Sequence, residues 1–158
     1  MFRELTRKKQ RLEAKHCIKL LKNETRGVLS VCGDDGYPYG MPMNHWYEES
    51  DGNLYFHCGK EGHRLEALQK CDKVSYCVYN NGVRSDGEWA FHVESVIVFG
   101  RMQVIDDRER IKTITKKLCY KFTDDESYID FELQNHTSQT LLLKLCVEHI
   151  CGKSVTEA

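Results

Sequence analysis

A chain of 158 residues with 41% hydrophobic and 30% charged side chains has the makings of one globular domain, able to bury about 70% of its unfolded surface. Its net charge of −1 excludes a general nucleic-acid binder. No apolar run approaches the roughly 18 residues of a membrane span, and the N-terminal MFRELTRKKQRLEAKH lacks the apolar core of a signal peptide, so a cytoplasmic, non-membrane protein is expected.

In chain order, Ala14, Cys17, Ile18 and Leu21 fall at helical spacing and predict an amphipathic helix over roughly residues 6–23. Its first turn carries Arg7, Lys8 and Lys9 against the helix dipole, which predicts fraying there. Three short strand candidates follow: Gly27–Cys32, Tyr37–Tyr47 and Leu54–Cys58, joined by Asp-Gly-containing turns as in an antiparallel meander. Pro38 and Pro42 deprive the second of two ladder donors, which places it at a sheet edge or commits its backbone elsewhere. Glu61–Lys70 reads as a short helix packing Leu65 and Leu68, Val74–Tyr79 as a strand, and Trp89–Ile105 as the strongest strand, broken only at Gly100. Asp106-x-x-Glu109 resembles a capping box opening a helix with Ile111, Ile114, Leu118 and Phe122 on one face. Residues 123–137 are polar and poorly periodic, and Leu141–Ile150 alternates as a final strand.

About six mostly antiparallel strands with three helices predict a mainly β, α+β fold: a small barrel with flanking helices. The order excludes a regular βαβ repeat, and neither G-x-G-x-x-G nor a Walker A sequence occurs. The eight cysteines are scattered, with no Cys-x-x-Cys, and most read as small buried apolar residues. His45, His57 and His63 lack metal-ligand spacing, so no metal is expected.

The chemistry concentrates in YFHCGKEGHRLEAL, residues 55–68. A helix N-terminus offers free amides and the positive end of a dipole, which suits a phosphate. Gly59 and Gly62 let the backbone approach, while Lys60, His63 and Arg64 supply charge, Arg64 gripping two oxygens at once. One monophosphate held by His63, Arg64 and loop amides is one reading; a solvated, charged helix start is the other. The strand GYPYGMPMN tips the balance: main-chain groups freed at Pro38 and Pro42 match the donor–acceptor edge of a flat heterocycle such as a flavin, whose ribityl phosphate would reach the adjacent turn.

At these residues, together with ESVIVFGRM and the closing EHICGKS, the chain resembles the FMN-binding split-barrel proteins related to pyridoxamine 5′-phosphate oxidase, most like the branch containing the nitroimidazole-resistance proteins. The likeness covers roughly residues 25–154 and sets a domain at 25–158 behind an N-terminal helix at 1–24, one domain overall. It implies a six-stranded split barrel, an FMN cofactor and a homodimer with the flavin at the subunit interface. It also implies roles. Met41, Pro42, Met43 and Asn44 line the isoalloxazine, largely by backbone, and Phe56, His57 and Cys58 stand beside the ribityl and phosphate. His63 and Arg64, with Lys60, take the phosphate, and Ser95 turns toward the flavin. Trp89 and residues 123–137 are candidates for contacts from the partner copy. His57 is the candidate proton donor, with a purely structural hydrogen bond the equal alternative.

The implied function is a flavin-dependent oxidoreductase acting on a nitroaromatic or other small electrophile, with transient NAD(P)H as donor. The alternatives are a non-catalytic flavin or haem carrier or sensor, and a barrel holding a small molecule without redox chemistry. Pyridoxamine phosphate oxidation itself is not expected, because the chain ends in GKSVTEA without the oxidases' basic, aromatic C-terminal segment. The His63–Arg64 pair also departs from two permanent cations, making one charge pH-dependent.

Overall fold

The computed structural model describes residues 1–157. In chain order the elements are α1 (Ala14–Asn23), β1 (Arg26–Cys32), β2 (Pro38–Asn44), β3 (Trp46–Glu48), β4 (Asn53–Gly59), α2 (His63–Lys70), β5 (Lys73–Tyr79), β6 (Phe91–Ile105), α3 (Arg108–Cys119), α4 (Glu126–His136) and β7 (Thr140–Glu157). One seven-stranded sheet runs in the order β2-β1-β5-β6-β7-β4-β3, and all its pairings are antiparallel. No helix among the described residues is long and apolar enough to cross a membrane.

The sheet's two edges, β2 and β3, are separated in sequence by His45 alone. One residue spans at most about 3.6 Å, so the sheet has to curl until its edges meet, giving a split half-barrel. Alternation then sorts the side chains. Leu29, Val31, Met41, Met43, Leu54, Phe56, Tyr76, Val78, Val96, Val98, Leu143 and Leu145 fill the interior, and Cys17, Leu20 and Leu21 of α1 pack with them. On the outer face Tyr55 and Leu142 meet Ile111 and Ile114 of α3.

Several expectations need correction. The strand expected over residues 37–47 divides at His45 into β2 and β3, which makes seven strands, not six. The first helix starts at Ala14, with only a short 3₁₀ turn at Lys8–Gln10 before it, as the basic first turn disfavours an earlier start. Helix α2 opens at His63 instead of Glu61, and β6 opens at Phe91, leaving Trp89 outside it and 87% exposed. The cap of α3 is Asp107, whose carboxylate accepts the Arg110 amide at 2.7 Å, and Phe122 falls beyond that helix. The polar stretch 123–137 contains α4, capped by Asp125 on the Tyr128 amide; only Ile129 of its residues is buried, so no apolar period announces it. The last strand runs 18 residues, to Glu157, because β6 offers it a partner from Leu142 to its end. Only Cys17 and Cys58 are buried; of the other free thiols five are half-buried and Cys32 is exposed. The expected edge position of the proline-bearing strand holds.

The long β6–β7 ladder shifts register between Phe99 and Gly100, where Phe99 pairs His149 and Gly100 pairs Val147. A β-carbon on Gly100 would lie 2.1 Å from the Cys146 carbonyl oxygen, a backbone atom that cannot swing away. Gly100→Ala is therefore expected to destabilise the fold by about 2–3 kcal/mol, read as a lower urea midpoint at unchanged m-value.

Candidate functional site

Strand β4 leaves the barrel at Gly59, and Gly62 turns the chain into α2 at φ 122°, a conformation glycine adopts freely. A β-carbon on either glycine would meet nothing within 4 Å, so the turn is open on both. The Leu65 and Glu66 amides bond back to the Gly62 carbonyl at 2.9 and 3.3 Å. The preceding amides of His63 and Arg64 have no intrahelical acceptor and point out of the helix start.

Arg64 carries the anomaly. Its Nη1 lies 3.4 Å from the Met43 sulfur and 3.8 Å from that of Met41, both weak acceptors, and its buried Nε has no hydrogen-bond partner. Among the described residues it forms no ion pair, unlike Lys60, which lies 3.7 Å from Asp106, and His63, which lies 3.2 Å from Asp34. A partly desolvated guanidinium with an unmet donor is costly unless something else supplies the acceptor. His63 is also stacked on Tyr39, ring centroids 4.3 Å apart. Asp34 binds Lys70 at 3.0 Å as well, and Lys70 first, then His63, holds its carboxyl below the usual range.

The sequence-predicted residues divide by strand parity. Met41, Met43, Phe56 and Cys58 point inward, into the core. Their side chains pack the wall, and Arg64 reaches Met41 and Met43 from its end. Pro38 and Pro42 have no N–H, so their positions and that of Gly40 between them must be those whose main-chain groups face away from β1. Because β2 is an edge strand, that row is unpaired within the sheet.

His57 faces outward and keeps solvent contact, yet crowding by its neighbours and then the Arg64 charge lower its pKa, so it is neutral at neutral pH. Burial pushes the Cys58 thiol up, against the pull of Arg64. Ser95 pairs Tyr79 on β5 and Lys153 on β7, three strands from β2 in the sheet order.

Sequence reasoning missed His45, which it weighed only as a metal candidate. No group of three or more metal-ligating side chains is present among the described residues. His45 is fully buried and closes the seam between β2 and β3. Its Nε2 donates to the Leu21 carbonyl at 2.6 Å, so Nδ1 is the acceptor, 2.8 Å from the Tyr76 hydroxyl. That hydroxyl has one hydrogen for two acceptors, the other being the Met43 carbonyl at 2.7 Å. Lys121 donates to the carbonyls of Glu24 and His45 at 2.6 and 3.1 Å, and burial lowers its pKa to about 8. Helix α1, β5 and the segment after α3 thus converge on the backbone at the end of β2. The sequence sign was a histidine, next to Asn44, inside a largely apolar and aromatic run.

A curled seven-stranded antiparallel half-barrel whose proline-bearing edge strand stands beside a glycine-flanked cationic turn is a split barrel. The chain belongs to the pyridoxamine 5′-phosphate oxidase family, whose model matches residues 13–154. Among solved structures it is similar to a candidate 5-nitroimidazole antibiotic resistance protein of Bacteroides thetaiotaomicron, at 23% identity over 93% of this chain and 87% of that one, TM-score 0.76. A FAD-binding protein of Mesorhizobium loti matches at 22% identity over 92% and 97%, TM-score 0.68. A FAD- and haem-binding protein of Mycobacterium smegmatis matches at 20% identity over 89% and 70%, TM-score 0.68. No curated protein sequence matches significantly.

Proposed function

We propose that this chain binds FMN and serves as a flavin-dependent oxidoreductase for a small electrophile of the nitroaromatic kind. The observation that carries the reading is Arg64: a guanidinium with an orphaned Nε and no carboxylate, beside an open turn of free amides. The residues fit a terminal phosphate. Arg64 and the His63 and Arg64 amides would hold its oxygens, and Lys60 and His63 would turn from Asp106 and Asp34 to add charge. One unpartnered arginine suits a monophosphate, which favours FMN over a dinucleotide. The unpaired edge of β2 from Pro38 to Asn44 would orient the heterocycle, and neutral His57 can hold a proton at a ring nitrogen beside it. When bound, the flavin supplies the electron or hydride transfer. The relatives that bind FAD, or FAD and haem, support a flavin on this barrel, and the nitroimidazole-resistance relative supports the electrophile class.

The partner in this reading is a second copy. Tyr79, Val83, Trp89 and Phe91 are exposed apolar residues on or next to β5 and β6, and they suit an interface. Ser95 would then act toward the flavin across that interface. The test is to titrate purified protein with FMN and FAD, measure the oligomer by light scattering, and add NADH or NADPH anaerobically. Saturable FMN binding and bleaching are expected. Absence of flavin binding overturns the proposal, and bound flavin that never bleaches makes the protein a carrier.

Gly59→Ala separates site from scaffold. The added methyl group meets no protein atom within 4 Å, so stability should move by no more than about 0.5 kcal/mol. FMN affinity should fall by about 1–3 kcal/mol as the methyl enters the phosphate's space, measured by flavin fluorescence titration.

A further inference from the structure

Cys32 ends β1 with an exposed side chain, and half-buried Cys71 follows the last turn of α2. We propose that these two thiols form a reversible disulfide site, oxidised by a low-molecular-weight disulfide such as glutathione disulfide, and that the bond clasps the segment carrying the flavin site. The clasp's effect on the cofactor rests on the flavin reading above; formation of the bond does not.

Three observations bring the thiols together. Strands β1 and β5 are antiparallel, with Leu29 opposite Tyr76 and Ser30 opposite Ser75. Continued past its last pair, that register sets Cys32 opposite Lys73 and puts Cys71 next on the same face. Strand geometry reaches back that far: Cys71 is extended at φ −149°, and the Asp72 carbonyl accepts the Met102 amide at 2.8 Å. Lys70, which precedes Cys71, pairs at 3.0 Å with Asp34, two residues beyond Cys32, and so holds the end of α2 against the end of β1. The thiols themselves touch. A hydrogen bond with the Cys71 side chain is the foremost reason that the Cys32 pKa is raised, while Lys73 pulls it down. Sulfurs in that contact need only side-chain rotation and a slight backbone approach to reach the S–S length of about 2.05 Å.

In the exchange, the exposed Cys32 sulfur, as thiolate, attacks one glutathione sulfur and expels a glutathione thiolate, leaving a mixed disulfide. The Cys71 thiolate then attacks the Cys32 sulfur and expels the second glutathione. The two thiol protons end on the two released glutathiones, and the two electrons given up by the dithiol reduce the incoming disulfide. A bond formed at an exposed cysteine is equally open to reducing thiols, which makes it reversible.

The residues between the two cysteines, 33–70, include the edge of β2, His57, the glycine turn and Arg64. Asp34 lies in this loop and also holds His63 at 3.2 Å. Tying the ends of the loop together removes freedom from the open chain and restrains α2, whose first turn carries Arg64. Excursions of α2 that would open the phosphate turn become rarer.

Reduced protein, with and without FMN, is equilibrated in glutathione buffers of increasing oxidised fraction and the product is mapped by mass spectrometry. Expected are an intact mass lower by two hydrogens, a peptide linking Cys32 to Cys71, and return to the dithiol on adding dithiothreitol. The oxidised, cofactor-free form should melt about 5–10 °C higher, and FMN should leave the oxidised form about fivefold more slowly. Cys32→Ser and Cys71→Ser should each abolish the bond and both shifts, whereas Cys77→Ser, at another half-buried position on the outward face of β5, should keep them. No bond between Cys32 and Cys71, a bond between two copies in its place, or a melting temperature that does not rise overturns the clasp. Oxidation that leaves FMN release unchanged overturns the effect on the cofactor. If FMN fails to bind while the bond and the melting shift appear, the flavin reading falls and the disulfide stands.

Discussion

Arg64→Ala should weaken FMN binding by about 1.5–3 kcal/mol, the ordinary worth of hydrogen bonds to a charged group, or roughly 10- to 150-fold in Kd. The same change should not destabilise the cofactor-free protein. Among the described residues Arg64 has no ion pair there, its Nε is orphaned, and its Nη1 rests against two thioethers. A desolvated charge so placed costs stability until an anion arrives. Arg64→Met, which keeps the packing against Met41 and Met43 without the charge, should therefore raise the thermal midpoint of the cofactor-free form while losing FMN affinity as alanine does. Opposite movement of these two quantities identifies a binding residue; a structural arginine would lose both. Unchanged FMN affinity in either variant would refute Arg64 as a phosphate ligand.

The largest stability effect is expected at His45. Burial, then the charge of Lys121, lowers its pKa from 6.5 to about 3. In that interval the unfolded chain binds a proton that the folded chain refuses, so stability falls as pH falls. The contribution is complete above pH 6.5 and lost progressively toward pH 3, a change on the order of 3–5 kcal/mol. Above about pH 5 most carboxylates are quiet; His57, lowered for related reasons, adds a slope of the same sign. The difference between wild type and His45→Phe isolates His45. The variant should be less stable at neutral pH by about 2–4 kcal/mol, because the Leu21 carbonyl loses its donor. It should also lose a slope of about 1.4 kcal/mol per pH unit between pH 6 and 5, measured by urea denaturation across pH. Identical slopes would show that His45 takes up its proton in the folded state.

These two residues mark where the sequence was legible and where it was not. Arg64 stands in a local pattern, a strand end, two glycines and a helix start, and local patterns survive in a linear reading. The proline-bearing edge strand was legible for the same reason, since a missing N–H restricts ladder position wherever the chain goes. His45 looked like one more histidine. Its role exists only because residues 21, 76 and 121 converge on it, and their separations in sequence leave no periodic trace. Helix α4 escaped for another reason: it buries only Ile129, so no hydrophobic period exceeds its polar background.

What the sequence determined by itself was therefore the antiparallel β-rich class, the missing ladder donors that leave β2 at an edge or with its backbone committed elsewhere, and the cationic turn at 59–64, because each follows from covalent geometry or a short-range pattern. Only the tertiary structure decided the strand count, the 18-residue reach of β7, the inward turn of Met41, Met43, Phe56 and Cys58, and the burial of His45. Curling the sheet makes those choices: which face becomes interior, and which distant residues meet, depend on closure between two edges that one residue joins.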